Sequence, residues 1–354
     1  MKRRQFITTG IAVTGGLVLT GRGGANVAEP VATDEIPRYA DWIPAGSYDD
    51  ADRGVFFTHF DWEMRAEPED VEDDVDDDVG FDDPDVEPII ESYPILGLPL
   101  FGSSIAPSAL FGIVPYPFAE EVVPDGPPTE GIATTAMTWV DDALVFHGEF
   151  EPAVFDEWYA EDFELDEERE GFGVYVGDAA ATDGLAYAVS EDALVVALTP
   201  DADAHTGEDA VTHLLDGFLG DADRVIDDED GAWLFEATGE PSIALGAWEL
   251  PDPENVLDPD GPEEGALEAP AEGPEVEANP AFDGVESLVN TIAFGTDDDP
   301  DAVEAHYAGL YRNDAVPAEG DVRRHLVGGA FVPHDLAVEG NRVYARVTFE
   351  DDAV

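Results

Sequence analysis

Residues 146–164 read FHGEFEPAVFDEWYAEDFE, and residues 294–312 read FGTDDDPDAVEAHYAGLYR. Set against each other without a gap, at an offset of 148, Phe146 falls on Phe294, Pro152 on Pro300, Tyr159 on Tyr307 and Ala160 on Ala308. The same offset carries Val195 onto Val343 and Ala197 onto Ala345. In both stretches a β-rich run (143–150 and 288–294) leads to a proline suited to the first turn of a helix, where its missing N–H is no loss. Asp299 is a good N-cap before Pro300, and Glu151 a poorer one before Pro152. Apolar residues then recur at spacings of 3 and 4: Phe155, Trp158, Tyr159 and Phe163 in the first stretch, Val303, Tyr307 and Leu310 in the second. That spacing predicts one helix in each.

The pattern extends outward from these two stretches. Strand-like runs at 185–189 and 193–199 flank a turn at Ser190-Glu191-Asp192, and runs at 335–338 and 343–349 flank Gly340-Asn341. Residues 54–60 (GVFFTHF) and 231–237 (GAWLFEA) both read as strands following Asp-rich turns. Residues 210–226, with Val211, Leu214, Leu215, Phe218 and Leu219, predict a bridging helix. The fold class expected is α+β and antiparallel β-rich. It would be a tandem duplication of a β-α-β-β unit, for which a ferredoxin-like split arrangement is one option. The division that follows is a signal segment at 1–28, a linker at 29–52, a first unit at 53–200, a bridging helix at 201–230 and a second unit at 231–354. An acidic loop at 67–91 and a Pro/Glu-rich loop at 251–284 interrupt the two units; neither carries enough apolar residues to pack.

The chain has 83 Asp and Glu against 14 Lys and Arg, a formal net charge of −69, and its single lysine is Lys2. Two like charges about 7 Å apart in water repel by about 0.6 kcal/mol. Dozens of such pairs rival a domain's whole stability of about 5–15 kcal/mol. In molar salt the Debye length falls to about 3 Å and most of this repulsion is screened. With 44% hydrophobic and 10% aromatic residues the chain still has the material for a core. In its use of Asp, Glu and Arg almost without Lys, it resembles proteins of extremely halophilic archaea. Such a surface argues against nucleic acid, which needs clustered basic residues; Arg323, Arg324, Arg342 and Arg346 come nearest and read as ion-paired residues in strands.

Lys2, Arg3 and Arg4 are followed by an uncharged run at 6–21, too short for a comfortable span of about 20 residues. Arg3-Arg4-Gln5-Phe6-Ile7 resembles a twin-arginine export signal, with Arg3, Arg4 and Phe6 as its recognition residues. The resemblance implies the twin-arginine export machinery as a partner, export of folded protein and an extracytoplasmic location. Leu19-Thr20-Gly21-Arg22 resembles a lipoprotein box with Arg22 in place of the lipidated cysteine. The chain has no cysteine, which excludes a thioether lipid anchor, disulfides and thiol chemistry.

No catalytic motif stands out. There is no G-x-S-x-G, H-E-x-x-H or P-loop pattern, and Gly171-Phe172-Gly173 with Gly177 reads as strand glycines. The histidines at 59, 147, 205, 213, 306, 325 and 334 lack metal-ligand spacing, and His205 with His213 reads as a surface pair. Asp74, Asp76 and Asp78 alternate as in a calcium loop, but the glycine falls one position late, at Gly80. Among 83 acids, carboxylate pairs carry no signal. Trp62, Trp139, Trp158, Trp233 and Trp248 read as core. The overall resemblance is to acidic, twin-arginine-exported proteins of halophilic archaea without assigned activity, and it implies no catalytic residues, metal or cofactor. The expected function is therefore a non-enzymatic exported protein that binds a ligand or serves the cell envelope. The alternatives are a secreted hydrolase with a site assembled from distant residues, and a cation-binding surface protein using residues 67–87.

Overall fold

The computed structural model describes residues 36–47, 54–61, 95–96, 99, 131–178, 182–197, 207–249, 280–294, 303–328 and 334–349. The export residues Arg3, Arg4 and Phe6, the acidic loop at 67–91, Trp62, His205 and most of the 251–284 loop lie outside the described residues. Among the described residues twelve strands follow one another as β1 (Val55–Asp61), β2 (Ile132–Val140), β3 (Ala143–Phe150), β4 (Phe163–Arg169), β5 (Phe172–Gly177), β6 (Ala186–Val189), β7 (Ala193–Ala197), β8 (Ile243–Trp248), β9 (Val285–Phe294), β10 (Val303–Tyr311), β11 (His334–Glu339) and β12 (Arg342–Phe349). All twelve lie in one sheet, in the order β11-β12-β10-β9-β8-β1-β2-β3-β7-β6-β5-β4, and every neighbouring pair is antiparallel. Among the described residues the complete α-helices are α1 (Pro152–Tyr159), α2 (Gly207–Leu219), α3 (Glu229–Thr238) and the single turn α4 (Glu319–Val322). The fold is thus α+β and dominated by an antiparallel sheet. The two units expected from sequence do not form separate sheets, because β1 pairs directly with β8.

Successive side chains of a strand point to opposite faces, and here both faces are apolar, so both are covered. On the front face Phe146, Tyr187, Leu194, Val196, Tyr307 and Val347 pack with Phe155 and Tyr159 of α1 and with Leu326 and Val327 beyond α4. On the back face Phe57, Val145, Val195, Ala308 and Tyr344 pack with Val211, Leu214 and Leu215 of α2, with Leu234 and Phe235 of α3, and with Tyr39 and Trp42 of a short 3-10 turn, Arg38–Trp42. Each fully buried Leu or Phe contributes roughly 1.5–3 kcal/mol, so these two layers are the main source of stability.

Strand β3, helix α1 behind Pro152, helix α2 and both closing hairpins form where the sequence predicts them, but α1 ends at Tyr159, so that Phe163 opens β4, and α2 ends at Leu219 rather than near 226. Two expected elements do not. Residues 303–311, expected as a helix, form β10. The spacing of Val303, Tyr307 and Leu310 fits a helix, but Val303, Ala305, Tyr307 and Tyr311 also alternate with Glu304, His306, Ala308 and Leu310. The structure uses that period of two: the first set faces front and Ala308 and Leu310 face back. Residues 231–237, expected as a strand, lie inside α3. The Asp228 carboxylate accepts from the Asp230 and Gly231 backbone N–H groups, and Gly239 ends the helix at φ 65. Those two caps outweigh the strand preference of Trp233 and Phe235. Trp158, expected in the core, is 47% exposed on α1, while Trp248 is buried. Arg323 and Arg324, expected in a strand, sit in a helical turn.

The offset of 148 also fails at the closing hairpins. Val195 lies in the back layer and Val343 in the front layer. The turn between β6 and β7 has three residues, 190–192, and that between β11 and β12 has two, 340–341. A one-residue slip sends every side chain to the other face. Matching the hairpin pairs Val189↔Leu194 and Val338↔Val343 restores the facing, with Leu194 and Val343 both in front. The strand order has its own regularity: β1-β2-β3-β7-β6 runs outward from the midline as β8-β9-β10-β12-β11 does on the other side. Helix α1 lies between β3 and β6 in the chain, and β7 returns between them in the sheet. Likewise α4 lies between β10 and β11, and β12 returns between those. The hairpin β4–β5 has no counterpart among the described residues of the second half.

Candidate functional site

On the back face three neighbouring strands bring together polar side chains that are far apart in sequence. His59 on β1 lies opposite Thr138 on β2. An irregularity between Thr134 and Ala136 shifts the β2–β3 register and sets Ala136 opposite His147. The Thr138 hydroxyl then sits 2.9 Å from His59 Nδ1 and 2.8 Å from His147 Nε2. One hydroxyl can donate to one ring nitrogen and accept from the other, so one histidine presents a lone pair and the other an N–H. Burial pushes His59 well below the usual histidine range, with a smaller push from His147, and burial lowers His147 to about 4. Both rings are therefore neutral at neutral pH.

A strap, residues 36–47, lies across this chain. The Tyr39 ring stacks on His59 with centroids 4.3 Å apart, and Trp42 meets His147 edge-on at 6.3 Å. Trp42 also stacks on Phe218 of α2 at 3.9 Å. Farther along, His213 Nε2 of α2 lies 2.8 Å from the Gly46 carbonyl. The Ala45 N–H donates to the Asp223 carbonyl and the Val225 N–H to the Ile43 carbonyl. Arg224 ties Asp41 at 2.7 Å and Asp227 at 3.0 Å. Beside the strap, Pro44, Asp141, Asp142, Ala210 and His213 line a cleft of about 10 Å³, the room of about one water. The chain His59–Thr138–His147 can relay a proton through its hydroxyl, but Tyr39 and Trp42 fill the space a substrate would need.

A second polar cluster occupies the back face of β10 and β12. Arg346 donates to Glu304 Oε1 at 2.5 Å, and His306 Nε2 lies 3.3 Å from Glu304 Oε2. The Thr348 hydroxyl is 3.4 Å from Glu304 Oε1, and the Tyr344 hydroxyl is 3.3 Å from His306 Nδ1. The hydrogen bond from His306, and then that from Arg346, outweigh burial and hold Glu304 down at about 2. Arg346 Nε is buried and bonded to nothing among the described residues.

The arginines expected to be ion-paired are so: Arg323 with Glu319, Arg324 with Asp321, Arg342 with Asp230 and Arg346 with Glu304. Gly173 and Gly177 lie in β5. Sequence reasoning missed the pairing of His59 with His147. Its only sequence signal is that each histidine interrupts an apolar strand, in GVFFTHF and ALVFHGEF; without the strand order nothing makes them neighbours. Among the described residues no group of three or more His, Asp or Glu could hold a metal ion, and no helix is long and apolar enough to cross a membrane. Comparisons with known protein families, curated proteins and solved structures find no match.

Proposed function

We propose that this is an exported, salt-adapted protein of the binding or cell-envelope type, non-enzymatic, and built from two copies of one β-α-β-β unit. The observation that carries it is the mirrored strand order of the two halves. The pairs Val189↔Leu194 and Val338↔Val343 align the outer hairpins. Carrying that alignment inward through each register places Leu144 on Tyr307, Met137 on Leu288 and Phe57 on Ala244, with every pair on one face. A two-fold axis normal to the sheet then passes by the pair Thr58↔Leu245. Cross-strand partners always share a face, so the facing follows once the hairpins are matched; the independent support is that strand order and helix placement recur on both sides of the midline. The core units β3-α1-β6-β7 and β10-α4-β11-β12 would be the ancestral copies, and the loops joining β1 to β2 and β8 to β9 equivalent acidic insertions.

The non-enzymatic reading is supported by the two polar clusters, whose members mostly bond to one another, and by a sequence without a catalytic motif. Export is supported by Arg3-Arg4-Gln5-Phe6 and by a charge that suits brine. The test is to express the chain in a halophilic host with Arg3 and Arg4 both changed to Lys, and to fractionate the cells. Retention in the cytoplasm, with no turnover of a hydrolase substrate panel by purified wild type in molar salt, is expected. Undiminished export, or turnover, would sink the corresponding half of the proposal.

A further inference from the structure

Three of the chain's seven histidines touch the strap at residues 36–47. His59 lies under Tyr39, His147 meets the edge of Trp42, and His213 reaches the Gly46 carbonyl. Among the described residues the strap enters no strand pairing beyond the isolated bridge Pro44↔Arg224. The body of the sheet does not depend on it for backbone hydrogen bonds. The floor beneath it has one proton fewer than its ring nitrogens and hydroxyl would hold if either ring were charged. With either histidine protonated, both of that ring's nitrogens become donors and a cation lies buried away from water. The strap is also held imperfectly: the Tyr39 hydroxyl is buried with no hydrogen-bond partner among the described residues, which costs stability.

We infer that residues 36–47 form an acid-labile strap, which lies down on the neutral His59–Thr138–His147 chain and lifts off when that chain is charged, while the sheet beneath stays folded. Lifting it uncovers an apolar groove floored by Phe57, Val140 and Val145 and walled by α2 and α3.

The charged groups around the floor come from every element packed on it. His59 stands on β1 and His147 on β3; Tyr39 and Asp41 come from the strap and His213 from α2. Arg224 and Asp227 flank it from the turn after α2, and Asp141 and Asp142 from the β2–β3 turn. Glu240, beyond α3, acts on Tyr39 together with the burial that raises that phenol. Burial is the leading influence on both imidazoles, and at His59 the neighbouring His147 adds to it.

The sign follows from the depressed values. Lifted, the histidines return toward their ordinary 6.5; docked, His147 stays near 4. Docking is unopposed above about 6.5 and weakens as pH falls toward 4. His147 alone shifts the docking equilibrium by about 80-fold over that range. Acidification acts the other way on the rest of the molecule, because protonating carboxylates relieves its mutual repulsion. The strap is therefore the part that acid loosens first.

The test is hydrogen–deuterium exchange of the full chain in molar NaCl between pH 7 and pH 4, corrected for intrinsic rates. Strap peptides should lose at least tenfold protection across that range while β2 and β3 peptides keep theirs. In the double variant His59→Gln, His147→Gln the strap should lose this pH dependence. The single variant His147→Gln, which replaces the more accessible ring, should shift the midpoint and covers the case where the double variant does not fold. Strap and strands losing protection together, a strap still protected at pH 4, or a wild-type pH profile in the variants would each overturn the inference.

Discussion

The two wings of the sheet solve the same problem differently on the back face. In the first wing Ala193, Val195 and Ala197 of β7 lie beneath α2, against Ala210, Val211 and Leu214. In the second wing the matching strand β12 offers Arg342, Tyr344 and Arg346, and no helix among the described residues packs there as α2 does. Arg342 instead reaches inward to Asp230 of α3 at 2.5 Å and lies 5.0 Å from the Trp233 ring centroid. Arg346 is held by Glu304. Where a helix covers the sheet, the strand is apolar; where none does, its few cations are placed, and each has a carboxylate partner. In a chain with 14 basic residues, an arginine is positioned where it ties elements together. Arg169 does the same in the first wing, joining β4 to Asp216 at 2.5 Å and Asp221 at 3.0 Å at the end of α2.

The largest effect should strip both wings at once. Dilution from molar salt to ~0.01 M lengthens the Debye length to about 30 Å and should abolish the far-ultraviolet circular-dichroism signal of the sheet. A spectrum unchanged over that range would refute the account of the charge. Next, Val195→Arg puts a second-wing residue type under the first wing's helix. A buried cation without a partner should cost more than about 4 kcal/mol, read as loss of the folded baseline in thermal melts. A variant that melts as wild type would show that α2 does not seal that wing.

Glu304→Gln attacks the second wing, leaving Arg346 and His306 without their carboxylate. A loss of about 1–3 kcal/mol is expected in molar-salt denaturant titrations. Because Glu304 is held at about 2 against an ordinary 4.5, its stabilisation is complete above pH 4.5 and fades as pH falls toward 2. The wild-type advantage over the variant should shrink across that window, and an advantage that persists at pH 2 would contradict the ion-pair assignment. The smallest effect belongs to Arg342→Met, whose partner Asp230 is 45% exposed. About 0.5–1 kcal/mol is expected after solvent screening, measured in the same titrations. A loss comparable to that of Glu304→Gln would mean that the clamp on α3, rather than the Glu304 cluster, holds the second wing.

The particular elements that the sequence revealed are those with a single consistent signal. Helix α1 has Pro152 and an apolar stripe; the two closing hairpins have their turns; α2 has a long amphipathic run. Residues 303–311 satisfied two periods, and only the pairing of β10 with β9 and β12 selects the strand. Residues 231–237 looked strand-like through their aromatics, while the deciding caps, Asp228 and Gly239, stand outside the quoted stretch. The similarity of 146–164 to 294–312 joined a strand–helix to a hairpin. The regularity lies instead in the order of strands, with the outer hairpins matching one residue away at the closing turns. The histidine pair was invisible for the same reason: two residues on different strands become neighbours only through a register.

The sequence by itself determined the acidic charge, the α+β class and the absence of thiol chemistry, because charge, hydrophobic content and residue inventory are sums over the chain. Tertiary structure alone decided which residues share a face. In a sheet that property depends on register, which long-range pairing sets and a single residue of turn length reverses. The His59–Thr138–His147 chain, the Glu304 cluster and the mirrored strand order of the two wings all rest on it.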